Sequence, residues 1–140
     1  MKRYKIAILW RGDRAARAAA TAHNNRYHHI FAELQALGID AEPAVYAEDL
    51  IDELHAQLLK VDGVLVWVNP LDDGRTREQL DALLREVAAR GVWVSAHPDV
   101  ILKMGTKEVL HRTRTMSWGS DTALYQTPML DAFRSQTPCR

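Results

Sequence analysis

The chain has 140 residues, with 18 basic side chains balanced by 18 acidic ones and a formal net charge of zero. That length predicts a single domain, which can bury about 68–70% of its unfolded surface and needs no metal or disulfide to fold. The neutral balance excludes a nucleic-acid or anionic-membrane binder driven by bulk charge, and 47% hydrophobic residues exclude a disordered chain.

The longest apolar runs, 6–10 and 64–68, hold five residues each, far short of the roughly 20 needed to span a bilayer. The start, Met-Lys-Arg-Tyr-Lys, is basic, but the run behind it stops at Trp10-Arg11 without a small-residue cleavage site, which predicts no secretory signal. A single cysteine, Cys139, allows no internal disulfide. The expectation is a cytoplasmic protein with neither a nucleic-acid nor a membrane partner.

Residues 5–10 form a continuous apolar run, as in a parallel-sheet strand buried on both faces. Asp13 can cap a short helix through Ala20, rich in Ala and Arg; with no large apolar residue to bury, the segment reads equally as a loop. From Asn25 a helical period places Tyr27, Ile30, Phe31, Leu34 and Leu37 on one face, and Gly38 follows as the C′ residue. Residues 41–46 read as a second strand, and Pro43, lacking an N–H, puts it at a sheet edge. Leu50, Ile51, Leu54 and Leu58 mark a second amphipathic helix with Glu48 or Asp49 near its start. Residues 63–68 are the strongest strand signal, followed by the polar loop 69–74. Thr76 and Gln79 have the spacing of a capping box opening a helix with Leu80, Leu83, Leu84 and Val87 on its face, ended by Gly91. Residues 92–94 are a fourth strand. His97-Pro98-Asp99 begins a short helix closed by Gly105, and Thr106 caps another running to about Thr115, with an extra strand at 123–125.

Strands alternating with amphipathic helices predict an α/β fold: an open, mostly parallel sheet of about four strands in the order 2-1-3-4, with helices on both faces. In such sheets ligands bind at the carboxyl ends of the strands. Three loops meet there: Arg11-Gly12-Asp13-Arg14, Asn69-Pro70-Leu71-Asp72-Asp73-Gly74 and Ser95-Ala96-His97-Pro98. Arg11, Asp13, Arg14, Asn69, Asp72 and His97 are therefore the candidate substrate-binding residues, and the arginines suit a carboxylate or phosphate by bidentate pairing. The plain alternative is that all are ordinary turn residues. Gly105-Thr106-Lys107 opens a helix beside a lysine, a seat for phosphate or simply a capped surface helix. Neither G-x-G-x-x-G nor G-x-x-x-x-G-K-[ST] occurs. His23, His28 and His29 lack a Cys or Glu at ligand spacing, so no metal site is expected. Trp10, Trp67 and Trp93 sit in strands and read as core, and no catalytic residue is assigned.

From His97 the sequence reads His-Pro-Asp-Val-Ile-Leu-Lys-Met-Gly-Thr-Lys-Glu-Val-Leu, then a helix, then Trp118-Gly119-Ser120-Asp121-Thr122. This resembles the hinge into the nucleotide domain of ATP-grasp ligases, whose N-terminal parallel α/β domain, the Rossmann-like pre-ATP-grasp domain, ends in a short Pro-led helix and an Asp-Lys pair. Pro98–Ile101 matches that helix, and Thr106-Lys107 stands where Asp-Lys is usual. Residues 1–125 are similar to a group of bacterial ATP-grasp-like proteins in Trp-Arg-Gly-Asp at 10–13, Asn-Asn-Arg at 24–26 and Val-Ser-Ala-His-Pro-Asp-Val-Ile-Leu-Lys-Met-Gly at 94–105. The resemblance implies a parallel α/β domain over 1–104. It also implies a linker helix and truncated start of a nucleotide domain over 105–140, packed on the same domain. By resemblance Lys107 is a nucleotide contact. ATP and Mg²⁺ are then expected only in a full-length parent, because the family's second lysine, adenine hinge and metal ligands lie beyond residue 125. The 140 residues would be a catalytically incomplete fragment, truncation or remnant of an ATP-dependent carboxylate–amine ligase.

Two other readings stand beside it. One is a stand-alone flavodoxin-like small-molecule-binding domain, although the first and third strands end in Trp10-Arg11 and Val68-Asn69 rather than in the acidic residues of a phosphoacceptor site. The other is a homodimerising module using the 106–116 helix face with Val109, Leu110 and Met116.

Overall fold

The structure, a computed structural model, describes residues 3–72, 74–104 and 108–124. The chain divides into two compact units, Met1–Pro98 and Asp99–Arg140.

In the first unit, β1 (Lys5–Arg11), β2 (Asp40–Tyr46), β3 (Gly63–Trp67) and β6 (Trp93–Ser95) form a parallel sheet in the order β2-β1-β3-β6. The 2-1-3-4 order of the four main strands is as the sequence predicts. The chain between β3 and β6 adds a small antiparallel hairpin, β4 (Leu71–Asp72) with β5 (Arg75–Thr76), turned at Gly74 with φ 75°. The sequence reads only as a polar loop there, because two-residue strands carry no period. Pro43 lies in edge strand β2, where a missing N–H costs no ladder bond on the open side. The Gln57 side chain donates instead to the Pro43 carbonyl at 2.9 Å.

β1 is central, so Ala7, Ile8 and Leu9 are all fully buried. Alternation sends Ala7 and Leu9 to one face. There they join Ala44, Tyr46 and Val64 in a core closed by α3 (Ile51–Leu58) and α4 (Glu78–Ala89) through Leu54, Leu58, Leu80, Leu83, Leu84 and Val87. Trp10 points to the opposite face, with Tyr27 at the start of α2 (His28–Ala36) packed on it. α2 ends as its Gly38 predicts. Gly38, at φ 75°, donates its N–H to the Gln35 carbonyl, and Ile39 donates to Leu34, the paired bonds of a Schellman cap. Leu37 is exposed, so the apolar stripe of this helix is narrower than its period suggests.

Three local expectations change. Thr76 does not cap α4; it belongs to β5, and the residue before the helix is Arg77, which makes no side-chain capping bond. Trp67 and Trp93 are not core: 37% and 60% of their surfaces are exposed. Both lie on the Trp10 face of the sheet, over β3 and β6, away from the face that α3 and α4 cover. Residues 123 and 124 are not in a strand, and Tyr125 lies outside the described residues.

α5 (Pro98–Met104) begins at the predicted proline, one step before the second unit, and α6 (Glu108–Arg112) lies within that unit. In the second unit Gly119 sits so tightly on the preceding turn that a Cβ would lie 2.2 Å from the Thr113 carbonyl oxygen. No helix of the described residues is long and apolar enough to cross a membrane.

Candidate functional site

A cleft of about 800 Å³ opens in the first unit at the carboxyl ends of β1 and β3. Its floor begins where β1 runs into α1 (Arg14–Ala19). Gly12 donates its N–H to the Tyr46 carbonyl at 3.0 Å, tying this turn to the end of β2. A Cβ at Gly12 would sit 2.6 Å from Val45 Cγ1 and 3.1 Å from Ala16 Cβ, so the close passage requires glycine. The Asp13 carboxylate accepts the Ala16 N–H at 2.7 Å, capping α1 as its sequence position predicts.

The second wall is the loop between α1 and α2. Its amides are spent on the loop itself. Asn24 accepts from the Thr21 N–H at 2.8 Å and donates to the Ala19 carbonyl at 2.6 Å. Asn25 donates to the Thr21 carbonyl and accepts from the Tyr27 N–H, each at 2.7 Å. This bonding fixes the loop in place and leaves Arg26 at its end, 4.8 Å over the Tyr27 ring. Among the described residues no carboxylate lies within ion-pair distance of Arg26.

The third wall is the end of β3 and the β4–β5 hairpin. Tyr27 stacks on Trp67 at 4.8 Å between ring centroids and tilts against Trp10 at 5.6 Å. Parallel register brings this about, because Trp10 and Trp67 are direct partners on one face of the sheet. Arg11 latches the hairpin. It donates to Glu48 at 3.0 Å and to the Thr76 carbonyl at 3.1 Å, and lies 5.1 Å over the Tyr46 ring. Its buried Nε has no hydrogen bond, because Asp72 stands 3.6 Å away. The same Asp72 oxygen is the partner of Arg75, at 3.7 Å.

Of the residues singled out from sequence, the cleft gathers Arg11, Asp13, Asn69 and Asp72. Arg14 does not line it. The cleft face of α1 is Ala16, Ala19 and Ala20, and Arg14 sits about 200° around the helix from Ala16. It pairs instead with Asp49 at 3.1 Å and Glu53 at 3.8 Å. His97 does not line the cleft either. β6 stops at Ser95, whose partner is Leu65, two residues short of Trp67. Lys107, with Gly105 and Thr106, lies outside the described residues, as does Asp73.

Sequence reasoning left out Trp10, Trp67, Arg26 and Arg75, which also line the cleft. The position of Trp10 and Trp67 near the carboxyl ends of their strands was the available signal for the aromatic pair. Nothing local marks Arg75, whose place depends on the hairpin.

The comparisons with known proteins leave the site to its geometry. The chain matches no family model, no curated protein and no solved structure.

The described lining includes guanidiniums, carboxylates, amides and indoles, groups able to bind and orient a ligand. Among the described residues no group of three or more His, Cys, Asp or Glu converges to hold a metal ion.

Proposed function

We propose that this chain is the substrate-side N-terminal domain of an ATP-grasp-type ligase, with a small-molecule substrate held in the cleft at the ends of β1 and β3. The observation that carries the reading is the meeting of Arg11-Gly12-Asp13, Asn24-Asn25-Arg26 and Asn69 around one cleft, at the end of a parallel sheet where α/β folds place ligands. The likeness of 97–119 to the ATP-grasp hinge supports it from the sequence side. In this reading ATP and Mg²⁺ are held by other subdomains of the parent, Lys107 is the one nucleotide contact offered from this chain, and the protein works in the cytoplasm.

The test is to read the DNA beyond codon 140 in all three frames. An ATP-grasp pattern with a second lysine and a Glu-x-Asn pair is the expected result, and Asn69→Ala in the restored protein should then raise KM at least fivefold. A stop and then unrelated sequence turns the reading to a stand-alone flavodoxin-like binding domain. A homodimer is the other reading, favoured by the exposure of Leu110 and Met116 in the second unit; sedimentation showing only monomer at high concentration removes it.

A further inference from the structure

The geometry points to the class of molecule this cleft takes: a planar ring carrying an acidic group, a carboxylate or a phosphate. The inference rests on reading the cleft as a substrate site and goes further by assigning its chemistry.

Charge is the first observation. Among the described residues three guanidiniums line the cleft, from Arg11, Arg26 and Arg75, with two carboxylates, Asp13 and Asp72. Neither carboxylate is free to balance them. Asp13 is committed to the α1 cap, where the helix dipole also holds its charge. Asp72 serves Arg11 and Arg75 at once through a single oxygen, at 3.6 and 3.7 Å, beyond hydrogen-bond distance for both. Among the described residues Arg26 has only the Tyr27 ring. The buried Arg11 Nε lacks an acceptor. Arg11 already has Glu48 at 3.0 Å, so an acidic ligand would serve Arg26 and Arg75, to which no described residue gives a close carboxylate, and two-oxygen groups match guanidinium forks.

Shape is the second observation, independent of charge. Trp10, Tyr27 and Trp67 make a packed aromatic cluster, and Trp10 and Trp67 present it to the cleft, with Trp67 37% exposed. Exposed indole beside cationic side chains favours flat π-surface on a ligand over an aliphatic chain. The methyl groups of Ala16, Ala19 and Ala20 add further apolar lining. Exposed indole with methyl groups in the same lining suits a flat ring.

Two-dimensional ¹H–¹⁵N NMR of the 140-residue chain tests this, tracking the Trp10 and Trp67 indole N–H signals, assigned with Trp67→Phe. The probes are 2-naphthoate, 2-naphthyl phosphate, 2-naphthol, octanoate and benzamidine. The expected result is that one of the two acidic naphthyl probes shifts both indoles with an apparent Kd at least tenfold below that of 2-naphthol and of octanoate. Whichever of the two is tighter identifies the acidic group. Arg26→Gln with Arg75→Gln, both at exposed side chains, should weaken that probe at least fivefold and leave 2-naphthol unchanged. A benzamidine affinity equal to or above the acidic probes overturns the charge assignment, and octanoate matching them overturns the ring; in either case the cleft stands as a small-molecule site. Silence of both indoles towards all five probes overturns this inference together with the substrate-site reading.

Discussion

Arg77 stands just before α4 with 2% of its side chain exposed, and no apolar pattern announces it. It donates to the Val68 carbonyl, holding the chain between Trp67 and Asn69. It also pairs with the buried Asp81, one turn on. Their Nε and Oδ1 lie 3.0 Å apart but out of line for a hydrogen bond, so charge rather than direction holds the pair. Stripping one partner from a buried pair strands the other charge, at a cost of about 3–5 kcal/mol, whereas an apolar pair of similar volume is often close to neutral. Arg77→Met should therefore destabilise the protein by about 3 kcal/mol. The double change Arg77→Met with Asp81→Leu should recover at least half of that loss in urea unfolding. Equal losses in the single and double variants would contradict the account.

Tyr46 gives a second prediction at this scale. Burial, with help from Glu48 and against the effect of Arg11, lifts its phenol above the usual 10.0. The folded state keeps that proton where the unfolded chain begins to lose it. Stability is then fully present below about pH 10 and falls as pH rises through the higher folded value. Lys5 acts in the same direction, its ammonium held above 10.5 chiefly by its hydrogen bond to Glu42, though its exposure makes its share small. Tyr46→Phe should flatten the decline of the urea midpoint between about pH 9.5 and 11.5. A decline as steep as in the parent would assign the alkaline sensitivity elsewhere.

At the scale of the element, α1 is the instructive case. Its six residues bury no side chain, so packing cannot hold it, and isolated helices this short are unstable. Its supports are the Asp13 cap, the Arg17 donation to the Val45 carbonyl at 3.1 Å, and pairing of Arg14 and Arg17 with Asp49 and Glu53. Asp13→Ala removes the cap, worth about 1 kcal/mol. The expected result is faster amide exchange at 16–19 with the exchange of β1 and β3 unchanged. Uniform acceleration across the sheet would show that α1 is coupled to the core after all. The two open alternatives for this segment, helix or loop, differ by little more than that cap, so composition could not decide between them.

At the scale of the whole molecule, the buried apolar residues of the described chain all lie in the first unit, from Ala7 to Pro98. A fragment ending at Pro98 should unfold cooperatively by itself, with a thermal midpoint within about 5 °C of the full chain, a shift that corresponds to roughly 1 kcal/mol for a domain of this size. A broad, non-cooperative melt would show that the first unit needs residues 99–140 to hold its fold.

Two apolar runs, the helical periods beginning at Asn25, Leu50 and Leu80, and one strand proline were enough to predict a parallel α/β sheet with β2 at its edge. Each of those signals is local: a period of two or 3.6 residues, or one missing N–H. The members of the cleft are set by longer-range geometry. The wide separation of Trp10 and Trp67 along the chain disappears only when β1 and β3 pair in register, turning two expected core residues into a wall. The rotation of α1 takes Arg14 away from Asp13, and the early end of β6 leaves His97 outside the cleft. Arg75 enters through a hairpin too short to carry a pattern. The sequence by itself determined the four strands of the main sheet, the longer helices between them and their order, because local periodicity and backbone chemistry suffice for those. The tertiary structure alone decided which polar and aromatic side chains face one another, because that depends on register and rotation between elements far apart in the chain.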